Sequence, residues 1–368
     1  MFVIAVQAEK GGVGKTTTAV SLAYILAEEH KARVLLIDAD QQGNASQLVQ
    51  RYDPEHSGTV DVLEGNKEIT AAALPVTLEQ FRKDYYFDIL TANSYLMNTN
   101  ADILQDTVQD QVHRLRKALH AARGWYDYVV IDCGLLMDMA VLNAMVAADM
   151  WIVPMRPGGL EADAVANAEE RLEELRQLNP DLFAVGLLVA AGANKKHAEV
   201  YEWLARETRL GAIPAVIPRG IIGETYTAAR MPLPAYRQRC KISDAYRQVA
   251  RYVAEAARVA AKKRKTGRAN NERAQRIAKP ERAKQSGREG GAARTIPHEG
   301  HRDNKSISEQ REFLSCARNR GAGAEYPDGR PAAKHRCDIR PGRRGARLSH
   351  NFRGTPLARH AAFAGKRK

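Results

Sequence analysis

The amino-acid sequence predicts an α/β fold in which a mostly parallel sheet is doubly wound, with helices on both faces. Short runs rich in Val, Ile and Leu alternate along the chain with longer segments whose apolar residues recur at helical spacing. The short runs are apolar throughout, which is typical of parallel strands that are covered on both faces. With 368 residues, the chain is long enough for one such domain and an extension.

The elements follow one another in a regular order. The predicted strands cover residues 2–6, 32–40, 86–92, 126–133, 150–155, 182–190 and 213–218. The predicted helices cover residues 16–29, 108–122, 140–148, 161–178, 195–208 and 242–265. This alternation predicts crossover connections between parallel strands, so the strand ends that bear functional residues meet at one edge of the sheet.

A glycine-rich turn follows the first predicted strand and opens the first predicted helix. Its sequence is KGGVGKTT, formed by Lys10, Gly11, Gly12, Val13, Gly14, Lys15, Thr16 and Thr17. The glycines allow a tight turn whose N–H groups face a phosphate, and the helix presents its positive end to the same anion. Lys15 is placed to reach the β- and γ-phosphates, and the Thr16 hydroxyl is placed to bind Mg²⁺. The strict phosphate-loop pattern has glycine where this chain has Glu9.

With a second lysine opening the turn, this stretch resembles the deviant Walker A loop of the ParA/MinD family of ATPases, and ParA-type partitioning ATPases most of all. The resemblance spans about residues 2–260. It implies a P-loop NTPase fold, with ATP and Mg²⁺ as cofactors. It also implies that Lys10 crosses the interface of an ATP-dependent homodimer to reach the partner's nucleotide. Lys10, Lys15 and Asp40 are the catalytic residues that the resemblance implies.

Acids end two further predicted strands, and each also fits the resemblance. The segment VLLIDADQQGNAS is similar to the family motif DxDPQGNAS, with Gln41 in place of the proline. By this resemblance Asp40 orients the attacking water, and Asp38 supports the magnesium shell. Asp132 matches the Walker B position and is expected to hold Mg²⁺ through water. The alternative is that such acids only cap helices.

Two further stretches bear on the nucleotide. Asp132 is followed by CGLLMD, where the family has a small proline-containing turn, so the coupling of hydrolysis to conformational change is an open question. Cys133 is interpreted as a small buried residue. The segment beginning AVIPRG is similar to the family segment that passes near the adenine, which makes Pro218 and Arg219 candidates for contact with the base.

Basic residues crowd the last part of the body, and they are the candidates for DNA contact. They are Arg219, Arg230, Arg237, Arg239, Lys241, Arg247 and Arg251. A dimer doubles such a patch, and phosphate contacts add steeply with number. The alternative is a solvated helix face.

The last predicted helix carries one apolar stripe. Its members are Ile242, Tyr246, Val249, Val253, Ala256 and Ala260. The stripe lacks the Phe, Trp and Leu that a surface-inserting helix prefers, so we expect it to face the core and membrane binding to be the weaker option.

Charge divides the chain into a body, 1–261, and a tail, 262–368. The tail holds 29 Lys and Arg against 10 Asp and Glu, whereas the body holds 27 against 33. With few large apolar residues, the tail is expected to be disordered on its own. It is interpreted either as an electrostatic nucleic-acid contact or as an extension without function. The four cysteines have no metal or CxxC spacing, which favours a reduced, cytoplasmic setting.

The sequence therefore predicts a ParA-type ATPase that partitions the DNA of a plasmid or mobile element. The resemblance implies that the ATP-bound dimer binds DNA without sequence preference and is nucleoid-associated. It also implies that a ParB-like partner stimulates hydrolysis. Two alternatives stay open: a MinD-like membrane-associated positioning ATPase, and a hydrolysis-impaired nucleotide-binding regulator.

Overall fold

The computed structural model describes residues 1–278 except 79–82, 159–160 and 193–194. The described part contains an eight-stranded sheet. Its strands are β1 (Phe2–Val6), β2 (Val34–Ala39), β3 (Leu74–Leu78), β4 (Lys83–Leu90), β5 (Tyr128–Cys133), β6 (Met150–Met155), β7 (Phe183–Ala191) and β8 (Ala212–Pro218). All seven predicted strands are present, and β3 is an additional one.

The strand order is β3-β4-β2-β5-β1-β6-β7-β8. Every neighbouring pair is parallel except β3 and β4, which are antiparallel. From β1 the chain crosses to β2, which lies toward one edge of the sheet. From β6 it crosses to β7, which lies toward the other edge, so the chain leaves the neighbouring strands β1 and β6 in opposite directions. This is the doubly wound arrangement that the sequence predicts, and the switch point lies between the paired strands β1 and β6.

Helices cover the sheet. They are α1 (Lys15–Glu28), α2 (Asn44–Leu48), α3 (Gly58–Glu64), α4 (Ile69–Ala72), α5 (Leu96–Gln105), α6 (Arg114–Ala121), α7 (Met139–Ala147), α8 (Glu161–Arg176), α9 (Lys195–Glu207), α10 (Ile221–Thr225), α11 (Leu233–Tyr236) and α12 (Lys241–Ala278), with a 3-10 turn at Tyr226–Ala229. Consecutive residues of β1, such as Val3 and Ile4, point to opposite faces of the sheet and are both buried, as expected for a strand covered on two faces.

The predicted apolar stripe on the last helix faces the core. Tyr246, Val249 and Val253 of α12 are buried in a cluster that also contains residues of α1 and β1. The stripe is therefore used in packing, as predicted. No helix in the part of the chain that the structure describes combines the length and hydropathy that a bilayer crossing requires. α12 runs past the predicted boundary at residue 261 to Ala278, so the prediction of disorder is wrong for residues 262–278, which continue the helix. For residues 279–368 the prediction lies outside the described residues.

One predicted helix begins later than expected. The prediction was a helix over 108–122, but α6 begins at Arg114. The Asp106 carboxylate accepts hydrogen bonds from the N–H groups of Val108 and Gln109. The Asp110 carboxylate does the same for Val112 and His113. These local bonds compete with the helical pattern and hold the segment in turns.

Candidate functional site

The parallel register brings the acids and the glycine turn to one edge of the sheet. Asp132 of β5 is level with Asp38 of β2 on one side and with Val6 of β1 on the other. The turn that begins after β1 therefore lies beside both carboxyl groups. The structure thus brings together the three sequence regions that were expected to meet.

Positive backbone angles shape the turn between β1 and α1. Gly12 has φ +70° and Gly14 has φ +89°, a region that favours glycine. Gly14 is the N-cap of α1, and a Cβ added there would lie 3.2 Å from the Cγ1 of Val189. The N-terminal end of α1 therefore opens onto the turn without a side-chain cap, which leaves its N–H groups available to an anion.

Lys15 is the first residue of α1, and its ammonium group lies within the turn. The Nζ donates to the carbonyl oxygens of Ala8, at 3.1 Å, and Lys10, at 3.3 Å. Partial burial lowers the pKa of Lys15, while the nearby carboxylates of Asp132 and Asp40 oppose that shift. The Lys15 charge is thus positioned among the acids at the sheet edge, where a phosphate would also lie.

Asp132 is buried without hydrogen bonds. It is 1% exposed, and both carboxylate oxygens lack a hydrogen-bond partner. Burial raises its pKa well above the usual range, and Asp38 raises it further. The nearby Thr16 hydroxyl lowers the pKa of Asp132 in part, but it does not form a hydrogen bond of normal geometry with the carboxylate. A buried carboxyl group without hydrogen-bond partners can bind a cation, either directly or through a water molecule that the cation holds.

Asp38 is equally buried but fully engaged. Its Oδ2 accepts hydrogen bonds from the Ser46 N–H, at 2.8 Å, and the Ser46 hydroxyl, at 2.7 Å. Its Oδ1 accepts one from the Asp40 N–H at 3.2 Å. Burial raises the pKa of Asp38 to about 6, although the Ser46 bonds oppose this. Asp38 therefore links β2 to α2 and holds the intervening loop in place. Any effect of Asp38 on the ligands of a magnesium ion would be indirect, through the position of that loop.

The remaining polar groups of the edge are more accessible. The Asp40 carboxylate is half-buried and accepts a hydrogen bond from the Gln42 N–H at 3.0 Å. Lys10 is exposed on the turn. Within the described ranges, no group of three His, Cys, Asp or Glu side chains is arranged to hold a metal ion. A magnesium ion here would thus depend on Thr16, Asp132, water and the phosphates of a nucleotide.

The turn after β5 is apolar and partly exposed. Leu136 is 68% exposed and Leu135 is 42% exposed. The turn ends at Asp138, which caps α7 by accepting a hydrogen bond from the Val141 N–H and also accepts one from Asn100. Cys133 is buried, as predicted, and burial raises the pKa of its thiol.

A cavity of about 240 Å³ adjoins the start of α1. Gly14 and Thr17 line one side, and Pro218 and Arg219 line the other. The two residues predicted from the AVIPRG segment therefore lie next to the phosphate loop, as contact with a base would require. The Arg219 N–H donates to the Ala191 carbonyl at 2.9 Å and fixes the chain after β8.

Two tyrosines tie the phosphate-loop helix to the C-terminal elements, and the sequence analysis did not identify them with the site. The Tyr226 hydroxyl donates to the Thr17 hydroxyl at 2.8 Å. The Tyr246 hydroxyl lies 3.3 Å from that of Thr18. Tyr246 was assigned only to the apolar stripe. A sequence signal exists, since a buried tyrosine requires a partner for its hydroxyl.

The predicted DNA-contacting residues differ in their surroundings. Arg230, Arg237, Arg239, Lys241 and Arg251 are exposed. Arg247 instead bonds to Glu29, at 2.8 Å, and Asp244, at 2.7 Å. Arg219 lines the cavity beside the phosphate loop. The cations most accessible to a partner are therefore the five exposed ones.

Comparison with known proteins finds relatives that are described as partitioning proteins. A family model described as an AAA domain matches residues 1–183. The chain is 33% identical over 259 residues to the chromosome partitioning protein ParA of Caulobacter vibrioides, covering 68% of this chain and 93% of that protein. It is 30% identical over 260 residues to the sporulation initiation inhibitor protein Soj of Bacillus subtilis, covering 68% and 98%.

A solved structure agrees with the fold. It is a crystal structure described as cobyrinic acid a,c-diamide synthase from Mycobacterium smegmatis with bound ADP and magnesium. It superimposes with a TM-score of 0.57 at 28% identity, covering 68% of this chain and 92% of that one. The similarity thus extends over almost the whole of that protein.

Proposed function

The chain belongs to the ParA/MinD family, and from this premise we propose that it is a ParA-type ATPase that partitions DNA. In this proposal ATP and Mg²⁺ bind at the turn between β1 and α1 and hold two chains together in a sandwich dimer. The dimer binds DNA without sequence preference, and a ParB-like partner stimulates hydrolysis and release. The DNA that is partitioned belongs to a plasmid or mobile element, and the ATP-bound protein is nucleoid-associated in the cytoplasm.

The observation that carries the proposal is the Asp132 carboxyl group. It is buried near the end of β5 without hydrogen bonds, level with Val6, the last residue of β1 before the glycine turn. Leaving such a group without partners costs about 1–3 kcal/mol or more. The cost would be offset if Asp132, with Thr16, held a hydrated Mg²⁺ beside the phosphates of ATP. Magnesium would supply Lewis-acid stabilisation of the charge that develops on those phosphates.

The neighbouring residues fit roles around the same phosphates. Lys15 would leave the loop carbonyls and bind the β- and γ-phosphates, while the Thr16 hydroxyl would bind the metal. Asp40, on the half-buried loop after β2, would orient the attacking water. Lys10 is exposed and free to extend from the surface, as a lysine that reaches the partner's nucleotide must be.

The cavity lined by Pro218 and Arg219 supports the placement of the base. It begins at Gly14 and Thr17, so a nucleotide whose phosphates occupy the turn can extend its base into the cavity. The ligands bound in the M. smegmatis structure, ADP and magnesium, are of the same chemical kind. Nucleotide binding by this chain is therefore proposed at residues 10–17 together with 218 and 219.

The experiment that tests this function is DNA binding by the full chain in ATP, in ADP and without nucleotide. We expect tight binding only in ATP, with a steep dependence on salt, because the dimer doubles the number of exposed cations. A peptide of residues 279–368 serves as the control, since its binding must not respond to nucleotide. Equal binding of the full chain in ATP and ADP would refute an ATP-controlled DNA surface.

The exposed turn after β5 supports a second candidate, a nucleotide-binding regulator with impaired hydrolysis. Leu135 and Leu136 occupy the place of the family's polar or proline-containing turn, next to Asp132. If this turn cannot relay hydrolysis, the chain binds ATP and dimerises without turnover. Turnover measured with DNA and a partner extract distinguishes the two functions. The membrane alternative has no support from α12, whose apolar stripe is buried.

A further inference from the structure

A large cavity lies at the edge of the sheet opposite to the proposed ATP site. Its volume is about 910 Å³, and its lining includes Met1 and Asp149, which come directly before β1 and β6. The glycine turn follows the other end of β1. The five residues of this strand span about 16 Å, so the length of β1 separates the cavity from the phosphate loop.

The helix α6 forms one wall of this cavity. Its Leu115 and Leu119 are buried against the body. The opposite face of the helix carries basic side chains three or four residues apart, and a further one follows the helix end. These side chains, here called the basic row, line the cavity; they are His113, Arg116, Lys117, His120 and Arg123.

The members of the basic row differ in their partners. Lys117 lies 3.2 Å from the Asp110 carboxylate, and His113 lies 3.0 Å from the same group. Arg116 and Arg123 are exposed, and within the described ranges they form no ion pair. Their charges are therefore available to an anion from outside the chain.

The carboxylates across the cavity leave this positive charge in excess. Asp149 is already engaged, because it accepts hydrogen bonds from the Arg264 guanidinium and from the Val3 N–H. Asp181, in the loop before β7, is the other carboxylate that lines that side. The two arginines outnumber it, so the cavity favours an anionic ligand.

An exposed aromatic ring lies next to the basic row in sequence. Trp125 follows Arg123 by two residues, and 63% of it is exposed. Its N–H donates to the Ala122 carbonyl at 3.2 Å. Arg33 donates to the Gly124 carbonyl at 2.6 Å, so the turn is held in place. Accessible cations together with an open indole are the combination that binds single strands, in which cations contact phosphates and aromatic rings stack on bases.

We propose that the basic row and Trp125 bind single-stranded nucleic acid. Arg116 and Arg123 contact the phosphate backbone, and Trp125 stacks on an unpaired base. The bases of a duplex are stacked on one another, so a duplex cannot offer a base to Trp125 without unstacking it. The proposal uses neither the ATP site nor the exposed cations between residues 230 and 251, so it stands or fails independently of the proposed function.

The surroundings of Trp125 favour nucleic acid over an anionic membrane. A surface that inserts into a membrane combines its cations with several large apolar side chains. Between residues 113 and 127, Trp125 is the one large apolar residue that is exposed. A single ring beside cations fits a base better than it fits a lipid surface.

The test measures tryptophan fluorescence of the full chain during titration with a short oligothymidine. The chain has three tryptophans and none lies in residues 262–368, so quenching reports on the body and not on the basic tail. We expect the same quenching without nucleotide, in ADP and in ATP, and at least about fivefold weaker binding of a duplex of equal length. Absence of quenching would overturn the proposal, and so would quenching that requires ATP or equal affinity for the duplex.

Variants of the basic row and of the aromatic ring locate the site. Replacing Arg116 and Arg123 together with Gln is expected to weaken binding at least about tenfold and to reduce the salt slope by about 1.4, since each phosphate contact contributes about 0.7 in a single strand. Trp125→Leu is expected to abolish the quenching. Quenching that persists in Trp125→Leu would place the strand at another tryptophan and overturn the proposal.

A matched control removes the same charge from another surface. Arg206 and Arg209 are exposed, near the end of α9, and neither lines the cavity. Replacing both with Gln is expected to leave the affinity for oligothymidine unchanged. An equal loss in the two double variants would show only general charge attraction and would overturn the proposal. Vesicles of phosphatidylglycerol form the last arm, and a change in Trp125 fluorescence with these vesicles but not with oligothymidine would assign the surface to a membrane instead.

Discussion

The ends of β2 and β5 carry two buried aspartates that differ in their hydrogen bonds. Asp38 and Asp132 are register partners on adjacent strands, and both are buried. Asp38 accepts three hydrogen bonds from Ser46 and Asp40, whereas Asp132 accepts none. Burial alone therefore does not separate the two aspartates. The number of hydrogen-bond partners within the chain does.

The same contrast recurs around the site. Tyr226 engages the Thr17 hydroxyl, while Thr16 has no hydrogen bond of normal geometry to the carboxyl beside it. Arg247 is paired with two carboxylates, whereas Arg237 and Arg239 are exposed. Groups with partners in the chain stabilise the fold, and the groups without partners at this edge are the candidates for binding.

The largest effect is expected on turnover. Asp132→Asn removes the charge that would hold Mg²⁺, so the proposal expects the rate of ATP hydrolysis to fall about a thousandfold, corresponding to about 4 kcal/mol of transition-state stabilisation. The measurement is phosphate release at saturating ATP over a magnesium series. Asp38→Asn is the matched control, and the rate per folded molecule is expected to fall far less. Equal losses of the hydrolysis rate in Asp132→Asn and Asp38→Asn would contradict the different roles assigned to the two aspartates.

Nucleotide affinity is expected to change next. Lys15→Ala removes charge-assisted hydrogen bonds to the β- and γ-phosphates, which are worth about 1.5–3 kcal/mol each, so ATP affinity should fall at least about 100-fold. Lys10→Ala is the control from the same turn. If Lys10 serves the partner's nucleotide, this variant binds ATP as a monomer but does not dimerise. Titration with a labelled ATP analogue and size-exclusion chromatography separate these outcomes.

Stability is expected to move in opposite directions at the two aspartates. At pH 7 without metal, Asp132→Asn should raise the free energy of unfolding by about 1–3 kcal/mol, because it removes a buried carboxyl group that ionises readily in the unfolded chain but not in the folded one. Asp38→Ala should lower it by a similar amount, since the Ser46 N–H and hydroxyl lose their acceptor. Urea unfolding of both variants measures this. A loss of stability in Asp132→Asn would mean that the carboxyl group has a structural partner.

The pH dependence follows from the raised pKa of Asp132. The folded chain keeps the proton on this group at a pH where the unfolded chain has already released it. Its contribution to stability is therefore intact at acid pH and is lost as the pH rises toward the folded pKa. We expect the advantage of Asp132→Asn over the parent to be small near pH 4 and to grow as the pH rises.

Much of the sheet could be predicted because each strand carries its own local signal. The apolar runs ending in Asp38 and Asp132, with the glycine turn after β1, fixed which ends would meet. The antiparallel β3 was missed because its position depends on pairing with β4 and not on a pattern of its own. The late start of α6 was missed because Asp106 and Asp110 bond to nearby backbone groups, which helical periodicity does not reveal.

The sequence predicts which residues form the site but not which role each of them has. The residue types and spacing identified Lys15, Thr16 and both strand-end aspartates. Which aspartate has partners depends on Ser46, eight residues along the chain, and on how α2 folds back over β2. Arg247 looked equivalent to its neighbours because its pairing with Glu29 joins residues 218 positions apart. Such distant contacts are set by tertiary packing and have no signature in local sequence.

A smaller effect is expected at the arginines. Replacing Arg237 and Arg239 together with Ala should reduce the salt slope of ATP-dependent DNA binding by about two per subunit, as each cation neutralises about one phosphate. Arg247→Ala is the matched control. It should leave the slope unchanged and lower stability by less than about 1 kcal/mol, because its charge is already paired near the surface. A salt series for both variants measures the slope. A reduced salt slope in Arg247→Ala would show that an arginine paired with carboxylates still contacts DNA.

The smallest effect is expected where two hydroxyl groups tie α1 to the C-terminal elements. Tyr226→Phe removes the 2.8 Å bond to Thr17 and should lower the free energy of unfolding by about 1 kcal/mol. Tyr246→Phe removes only a 3.3 Å contact with Thr18 and should cost less, because hydrogen bonds between hydroxyl groups weaken beyond their usual length. Both rings keep their packing, so urea unfolding isolates the hydroxyl groups. ATP affinity should follow the same order, since each bond positions the helix that begins at Lys15. If Tyr226→Phe leaves both stability and ATP affinity unchanged, a hydrogen-bonded group at this edge has no structural role, and the distinction drawn from Asp38 and Asp132 does not extend to hydroxyl groups.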